Sequence, residues 1–512
     1  MSMIEKVNEL KTKREELLLG GGQEKINKQK DLSKDTAYER ISNLFDEDSF
    51  VQTDAFTQSR STDFGMDKKR IPGDGVICGY GTINGRPVYA AIQDYTVLHG
   101  SIGEMQAKKI VRTIDNAMKM GAPMLYLYDT DGLRLEEGVD VLSATGKLLA
   151  KQVSASGVIP QISAIMGNCA GLSALSAVYS DFVLMVDKTS HMYMSGPVVI
   201  ESVTGKAPKK DTYASSEVQT SLSGNAHISF LNDKDCISGI KALLSYLPDN
   251  NLSVSLRFDS KDLPNRTNKS LYNLDIDNYD MRSVITEVVD ELSFMEIQPA
   301  FGSSVITGFA RLNGMAVALV ANNPLVNDGN FDIDSSDKAA RFTSFADAFN
   351  IPLVTFTHSS GYTVDLEEEN KGLVRHLSKV LFAFSQASVP KINIITGKAI
   401  GGGFVLMNSK ASGADLVYAY PSAVISIMEP TKAANIIYSE DISKSDNPAS
   451  FRSEKEAEYG DKHANAYEAA KRGYVDDVID PAYTRSYLIN ALEMLSSKKV
   501  SEVYKKHGNM PL

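Results

Sequence analysis

Apolar and polar positions along the chain form blocks that predict strands and helices in alternation. Three apolar runs, "MLYLYD" from Met124, "PQISAIMG" from Pro160 and "DFVLMVD" from Asp181, have the length and composition of buried strands. A helical segment is expected before them, because apolar residues between Gly103 and Met120 recur at positions 105, 110, 111, 114 and 118. This alternation indicates β-α-β crossovers and a mainly parallel sheet, so the predicted fold class is α/β.

The N-terminal part of the chain has its own helical and hairpin patterns. Residues 3–18 have a helical pattern that the glycines at 20–22 interrupt, and a second helix is expected near Asp35 and Thr36, before "AYERISNLF". Residues 76–97 place an Asn-Gly turn signal between runs rich in Val, Ile and Tyr, which predicts a β-hairpin. We interpret the first 40 residues as a helical arm.

The second half of the chain repeats the first about 229 residues later. "CGYGTINGRPV" is matched by "TGFARLNGMAV", and "VIPQISAIMGNCAG" is matched by "SVPKINIITGKAIGG". This period is too long for a solenoid repeat, so it indicates two similar α/β domains related by internal duplication. A polar segment rich in Asn, Asp and Ser separates them and is interpreted as a linker. The predicted organisation is a helical arm (1–40), a first domain (41–250), a linker (251–282) and a second domain (283–512).

Composition and charge exclude several classes of protein. The 512 residues, of which 43% are hydrophobic, are enough for two large cores. Only three cysteines are present, too few and too scattered for a disulfide framework or a zinc cluster, so no metal site is predicted. A net charge of -11 without a basic run argues against nucleic acid as a partner. The charged start and the lack of a long apolar stretch predict a cytoplasmic protein.

The same glycine-containing turn occurs in both halves. An apolar strand leads into a turn and a small-residue helix in "ISAIMGNCAGLSALSAVYSD" and again in "INIITGKAIGGGFVLMNSK". Glycine allows a sharp turn and leaves main-chain N–H groups at the helix start free to hold an anionic oxygen. For a single turn, tight strand-to-helix packing without a ligand is the better explanation, but its repetition at the same place in both halves favours a function. The sequence therefore predicts two oxyanion sites.

These turns and the segments around them resemble the carboxyltransferase subunits of biotin-dependent acyl-CoA carboxylases and decarboxylases. The similar segments include "TDFGMDKKRIPGDGVICGYGTINGRPV", "SGPVVIESVTGK" and the terminal "KKHGNMPL". The resemblance implies a crotonase-like fold in each half. It also implies a homohexamer, a trimer of dimers, in which the N-terminal domain of one protomer faces the C-terminal domain of another.

The resemblance implies a reaction and its participants. A carboxyl group moves between biotin and the α-carbon of an acyl-CoA thioester, with propionyl-CoA and methylmalonyl-CoA as the expected substrates. Biotin is expected on a separate biotin carboxyl carrier protein, and a biotin carboxylase subunit or a membrane decarboxylase subunit is expected as a further partner. The main catalytic task is to stabilise two oxyanions, which needs no acidic side chain.

The resemblance also assigns roles to residues of this chain. The N–H groups of Gly171 and Leu172 are expected to hold the thioester enolate oxygen, and those of Gly402 and Gly403 the ureido oxygen of biotin. Val405 falls at a position that lines the acyl pocket in this family.

Several positions depart from the family pattern. Asn168 stands in place of a proline and Leu172 in place of a glycine in the first turn. In the neighbouring loop Asp131 and Leu133 stand where small residues normally occur, and His358 stands in place of an aspartate near the second turn. The predicted substrate-binding residues are Asp131, Gly132, Leu133, Val405 and His358. His358 is interpreted either as a polar ligand or as a satisfied residue at a strand end.

Three functions remain open at this point. The first is an active carboxyltransferase of a carboxylase or a decarboxylase, with the direction of the reaction undetermined. The second is a catalytically altered paralogue that serves as a structural or regulatory subunit, because the departures cluster at the inferred site. The third is an ordinary crotonase such as an enoyl-CoA hydratase, which has no need of a second half.

Overall fold

The structure is a computed structural model that describes residues 2–69, 71–500 and 505–511. It consists of two compact units, Met1–Val254 and Ser255–Leu512, and each unit contains one eight-stranded sheet. The predicted α/β class and the internal duplication are therefore confirmed. The border between the units falls inside the predicted linker 251–282, so most of that segment belongs to the second unit.

The sheet of the first unit begins with antiparallel strands and continues with parallel ones. The predicted hairpin is present, and its turn residues Asn84 and Gly85 have φ values of 52° and 76°, as a tight two-residue turn requires. The order is β1-β2-β3-β4-β5-β6-β8, with β7 paired to the end of β5. The strands are β1 (Val51–Thr53), β2 (Val76–Ile83), β3 (Arg86–Gln93), β4 (Met124–Thr130), β5 (Gln161–Ala170), β6 (Phe182–Val186), β7 (His191–Tyr193) and β8 (Ile228–Phe230).

Ten α-helices belong to the described part of the first unit. Capping boxes at Ser2 and Thr36 begin the two N-terminal helices that the sequence predicts. A helix between them was not predicted, because "QEKINKQKD" lacks an apolar stripe. The helices are α1 (Met3–Leu18), α2 (Gln23–Asp31), α3 (Ala37–Leu44), α4 (Glu104–Met120), α5 (Gly138–Ala155), α6 (Leu172–Val178), α7 (Pro197–Thr204), α8 (Asp211–Ala214), α9 (Ser216–Ser221) and α10 (Asp233–Leu244). The predicted arm boundary at residue 40 falls inside α3.

The second unit has the same sheet topology. The antiparallel pairs β9-β10 and β10-β11 are followed by parallel pairs in the order β11-β12-β13-β14-β16, and β15 pairs with the end of β13. The strands are β9 (Met295–Ile297), β10 (Val305–Leu312), β11 (Met315–Asn322), β12 (Leu353–Ser359), β13 (Lys391–Ile400), β14 (Leu416–Ala419), β15 (Val424–Ser426) and β16 (Asp477–Val478).

The helices of the second unit cover its sheet and extend beyond it. They are α11 (Met281–Val288), α12 (Ile333–Ala348), α13 (Leu366–Lys371), α14 (Leu373–Gln386), α15 (Gly402–Leu406), α16 (Pro430–Ile437), α17 (Ser439–Lys444), α18 (Pro448–His463), α19 (Ala466–Lys471) and α20 (Thr484–Met494). Among the residues that the structure describes, no helix combines the length and the apolar character needed to cross a membrane.

Candidate active site

Each unit has a sharp turn where its longest parallel strand meets a short helix. Gly171 separates β5 from α6 with φ 61° and ψ −130°, and Gly401 separates β13 from α15 with φ 51° and ψ −116°. A residue with a side chain would be strained in either conformation, so glycine is required at both turns. Both turns therefore have the strand-turn-helix geometry that the sequence predicts.

Hydrogen bonds at the turns correct one predicted donor. The N–H of Gly171 donates to the carbonyl oxygen of Tyr193 at 2.8 Å, and that of Gly401 donates to the carbonyl oxygen of Ser426 at 2.9 Å. Because these bonds join the turn to β7 or β15, the Gly171 N–H does not face a ligand. This hydrogen bond contradicts the prediction that the Gly171 N–H donates to the thioester oxygen.

The first two N–H groups of each short helix remain available. These groups belong to Leu172 and Ser173 in α6 and to Gly402 and Gly403 in α15, and none of them bonds to another residue within the described part of the chain. N–H groups in the first turn of a helix lack intrahelical partners and favour anions. The two units thus present equivalent donor pairs.

A loop beside the first turn contains the predicted residues 131–133. The N–H of Gly132 donates to Thr130 Oγ1 at 3.0 Å, and its carbonyl oxygen accepts from the N–H of Ile102 at 2.8 Å. A Cβ at Gly132 would lie 3.4 Å from the carbonyl oxygen of Ala170, so the loop runs directly beside the turn. The structure therefore places Gly132 beside the turn that precedes the first donor pair, whereas Leu133 packs on a cluster that includes Ile102 and Val141.

The second unit repeats this loop with different side chains. The N–H of Gly361 donates to Ser359 Oγ at 3.0 Å, and its carbonyl oxygen accepts from the N–H of Phe331 at 3.1 Å. A Cβ at Gly361 would lie 4.0 Å from the nitrogen of Gly403. Two loops with the same hydrogen bonds thus flank the two donor pairs.

Two of the departures from the family pattern contact each other. Asp131 Oδ1 accepts from Asn168 Nδ2 at 2.6 Å, and Asp131 Oδ2 accepts from the Tyr95 hydroxyl at 3.1 Å. The Lys210 ammonium donates to Asn168 Oδ1 at 3.4 Å. Asp131 lies in the middle of this polar chain and is exposed. The two residues that differ from the family pattern, Asp131 and Asn168, are thus joined by a hydrogen bond.

His358 is not a surface residue, so its predicted contact with substrate is corrected. Its side chain is fully buried on β12, and its ring Nδ1 lies 3.0 Å from the Tyr279 hydroxyl. A Cβ at Gly397 would lie only 2.2 Å from that nitrogen, so β13 passes closely over the ring. Burial lowers the pKa of His358 to about 4, which keeps the imidazole neutral at pH 7. His358 therefore lies at a buried strand end, as the alternative interpretation expects, but it is only partly satisfied. Among the described residues its Nε2 has no hydrogen-bond partner.

A cavity adjoins the helix of each turn. In the first unit it has a volume of about 410 Å³ and lies between α6 and β7, where Leu175 and Tyr193 line it. In the second unit it has a volume of about 700 Å³ and lies between α15 and β15, where Val405 and Ile425 line it. Val405 therefore lines a cavity, and that cavity lies in the second unit. Its expected place in an acyl pocket stays a prediction.

The sequence alone did not identify Ser173 as a donor. The repeat contains the signal, because the offset of about 230 residues that relates Pro160 to Pro390 also relates Ser173 to Gly403. Applying that offset to the second donor pair gives Leu172 and Ser173.

The buried Cys169 on β5 is no nucleophile, because burial raises the pKa of its thiol.

Comparisons with known proteins agree along the whole chain. A family model described as the carboxyl transferase domain matches residues 28–510. The chain is 46% identical over 512 residues to the methylmalonyl-CoA decarboxylase subunit alpha of Veillonella parvula, and the match covers 99% of each protein. It is 44% identical over 516 residues to the propionyl-CoA carboxylase carboxyltransferase subunit of Haloferax mediterranei, and this match covers 100% of each.

A solved structure extends the likeness to three dimensions. The transcarboxylase 12S crystal structure, described as a hexamer with methylmalonyl-coenzyme A and methylmalonic acid bound, has a TM-score of 0.98 to this chain. The two are 43% identical, and the match covers 100% of this chain and 99% of the other. The expected fold of two tandem crotonase-like domains is thereby confirmed.

Proposed function

The chain belongs to the carboxyl transferase domain family, and we propose that its two donor pairs serve the two halves of one carboxyl transfer. It is a carboxyltransferase of the propionyl-CoA and methylmalonyl-CoA carboxylase or decarboxylase type. The observation that supports the division of labour is the equivalent pair of N–H groups at the first turn of α6 and of α15. The relatives give no support to the altered paralogue.

The acyl-CoA substrate is assigned to the first unit. Making or breaking a bond between a carboxyl group and the α-carbon of a thioester places negative charge on the thioester oxygen. The N–H groups of Leu172 and Ser173 are the first two of α6 and can donate to such an oxygen. Preorganised donors of this kind stabilise the developing charge more than the ground state, and this difference accelerates the reaction.

The residues of the second turn fit the ureido group of biotin. The N–H groups of Gly402 and Gly403 lie next to a cavity whose lining includes Phe404, Val405 and Ile425, which suits a largely apolar bicyclic group. A Cβ at Gly403 would lie 2.8 Å from the carbonyl oxygen of Ser359, so glycine keeps this approach open. Biotin supplies the nitrogen that carries the carboxyl group, and the two N–H groups would hold the ureido oxygen beside it.

The proposal includes an assembly and partners. We propose a homohexamer, a trimer of dimers, in which the first unit of one copy works with the second unit of another. Biotin arrives on a carrier protein, and a biotin carboxylase subunit or a membrane decarboxylase subunit completes the system. The hexamer described for transcarboxylase 12S supports this assembly. Light scattering on the purified chain tests it, and a stable monomer that transfers carboxyl groups would contradict it.

Biotin-dependent formation of propionyl-CoA from methylmalonyl-CoA tests the function. The purified chain is incubated with methylmalonyl-CoA, with and without free biotin, and the acyl-CoA products are separated by chromatography. Product formation that rises with biotin concentration is expected. Hydration of an enoyl-CoA without any biotin-dependent transfer would instead favour an ordinary crotonase.

A further inference from the structure

A buried charge cluster, formed by Lys34, Arg40, Asp129 and Asp233, joins the N-terminal arm to the first unit's sheet. The Lys34 ammonium lies 2.7 Å from the Asp129 carboxylate, and Arg40 donates to Asp129 at 3.2 Å and to Asp233 at 2.8 Å. The side chains of Arg40 and Asp129 are fully buried, and those of Lys34 and Asp233 are 6% and 4% exposed. Two positive and two negative groups thus neutralise each other out of contact with water.

The cluster lies where the pairing of β4 with β5 is irregular. Tyr128 pairs with Ile165 and Thr130 pairs with Cys169, so the β5 residues 166–168 bulge opposite Asp129. Arg40 Nη2 donates at 3.1 Å to the carbonyl oxygen of Met166, inside this bulge. A Cβ at Gly167 would lie 1.9 Å from Asp129 Oδ1. The cluster therefore fixes the ends of the two strands that lead to the 131–133 loop and to the first turn.

A second contact extends from Lys34 to the loop itself. The Lys34 ammonium lies 4.7 Å from the centre of the Tyr95 ring, within the range of a cation–π interaction. The Tyr95 hydroxyl donates to Asp131, which in turn accepts from Asn168 on β5. Lys34 is thus connected to the loop both through the strand end and through an aromatic side chain.

We propose that Lys34 and Arg40 are positioning residues for the acyl-CoA side. Through them the N-terminal arm sets the geometry of the 131–133 loop and of the first turn. This inference rests on the proposed function of the first turn. The second unit holds the equivalent strand end differently, with the neutral His358 bonded to Tyr279. In the first unit, by contrast, ion pairs with Lys34 and Arg40 from the preceding helical segment hold this strand end.

Two measurements on the full chain test the proposal. Hydrogen–deuterium exchange with mass spectrometry reports the order of the 131–133 loop and of residues 166–173 whether or not the chain is active. Steady-state kinetics of biotin-dependent transfer report kcat and KM for methylmalonyl-CoA. The variants are Lys34→Met, its conservative counterpart Lys34→Arg, and Tyr95→Phe, which removes the hydroxyl contact and leaves the buried cluster intact.

The matched control is Lys109→Met. Lys109 on α4 is also buried, but it donates to the carbonyl oxygens of Gly73 and Val76, away from Asp129. Both Lys→Met variants are expected to lower the melting temperature. Only Lys34→Met should speed exchange in residues 131–133 and 166–173 and lower kcat, by about 100-fold if the turn shifts by roughly 1 Å. Lys34→Arg keeps the positive charge and should retain most of the wild-type kcat.

The outcomes separate this inference from the proposed function. Unchanged exchange at the loop in Lys34→Met, or the same change in Lys109→Met, would overturn the positioning role. If Lys34→Met fails to fold, the test relies on Tyr95→Phe. Unchanged exchange and unchanged kcat in Tyr95→Phe would refute the connection from Lys34 to the loop through the Tyr95 side chain. A wild-type chain without biotin-dependent transfer would refute the proposed function, while the exchange data would still decide the inference.

Discussion

Replacing Gly402 by proline tests the second donor pair with little disturbance of the fold. Gly402 is the first residue of α15, a position where proline is tolerated because its missing N–H would have no intrahelical partner. The substitution therefore removes one proposed donor to the ureido oxygen and no internal hydrogen bond. Loss of a single oxyanion donor lowers kcat by about 10²–10³, or about 2.7–4 kcal/mol of transition-state stabilisation.

Gly402→Ala is the matched control, because it adds a side chain and keeps the N–H. A Cβ at Gly402 would lie 3.4 Å from a ring carbon of Tyr362, which is an ordinary contact, so the alanine variant should retain most of its activity. The assay measures kcat for biotin-dependent transfer and, separately, the dissociation constant of methylmalonyl-CoA by calorimetry. Acyl-CoA affinity should be unchanged in both variants.

Two results would refute this reasoning. Full activity of the folded proline variant would show that the Gly402 N–H is not a donor in the transition state. Equal losses of kcat in the proline and alanine variants would show that activity depends on the space at the turn and not on the Gly402 N–H.

Three further predictions concern packing, pH and substrate range. Gly167→Ala should destabilise the protein by about 1–3 kcal/mol, because its Cβ would lie 1.9 Å from the Asp129 carboxylate. Gly146→Ala, at an exposed position of α5, should instead stabilise the protein by about 0.4–1 kcal/mol. Thermal unfolding of the two variants compares these effects. Because burial lowers the pKa of His358 to about 4, its contribution to stability is complete above its ordinary pKa of 6.5 and is lost as the pH falls toward 4. Unfolding free energies measured across this range should show a weaker pH dependence in His358→Gln. Leu172→Gly should shift the ratio of kcat/KM values for a longer and a shorter acyl-CoA by about tenfold, and an unchanged ratio would show that this side chain does not limit the pocket.

Most of the fold follows from local patterns in the sequence. The hairpin, the parallel strands and the capped helices have apolar periodicities and turn residues that act over a few positions, so they can be identified without tertiary information. Helix α2 is the exception in the arm, since its polar sequence has no apolar stripe and its stability depends on its surroundings.

The details of the site depend on contacts between distant residues. The Gly171 N–H was assigned wrongly because its acceptor, Tyr193, lies on another strand. The burial of His358 depends on the passage of β13 over its ring. Lys34 and Asp129 are 95 positions apart, and no periodicity in the sequence indicates that they meet. Such contacts become visible only when the sheet is assembled.

Complementation between two inactive variants tests the central claim most directly. Leu172→Pro removes a donor on the acyl-CoA side and Gly402→Pro removes one on the biotin side, and each variant alone should be nearly inactive. The two chains are co-expressed with different tags, the mixed assemblies are purified, and biotin-dependent transfer is measured. If each site takes a first unit from one copy and a second unit from another, about a quarter of wild-type activity should return, because half of each kind of unit is intact. Mixed assemblies as inactive as either parent would contradict a site that two copies share.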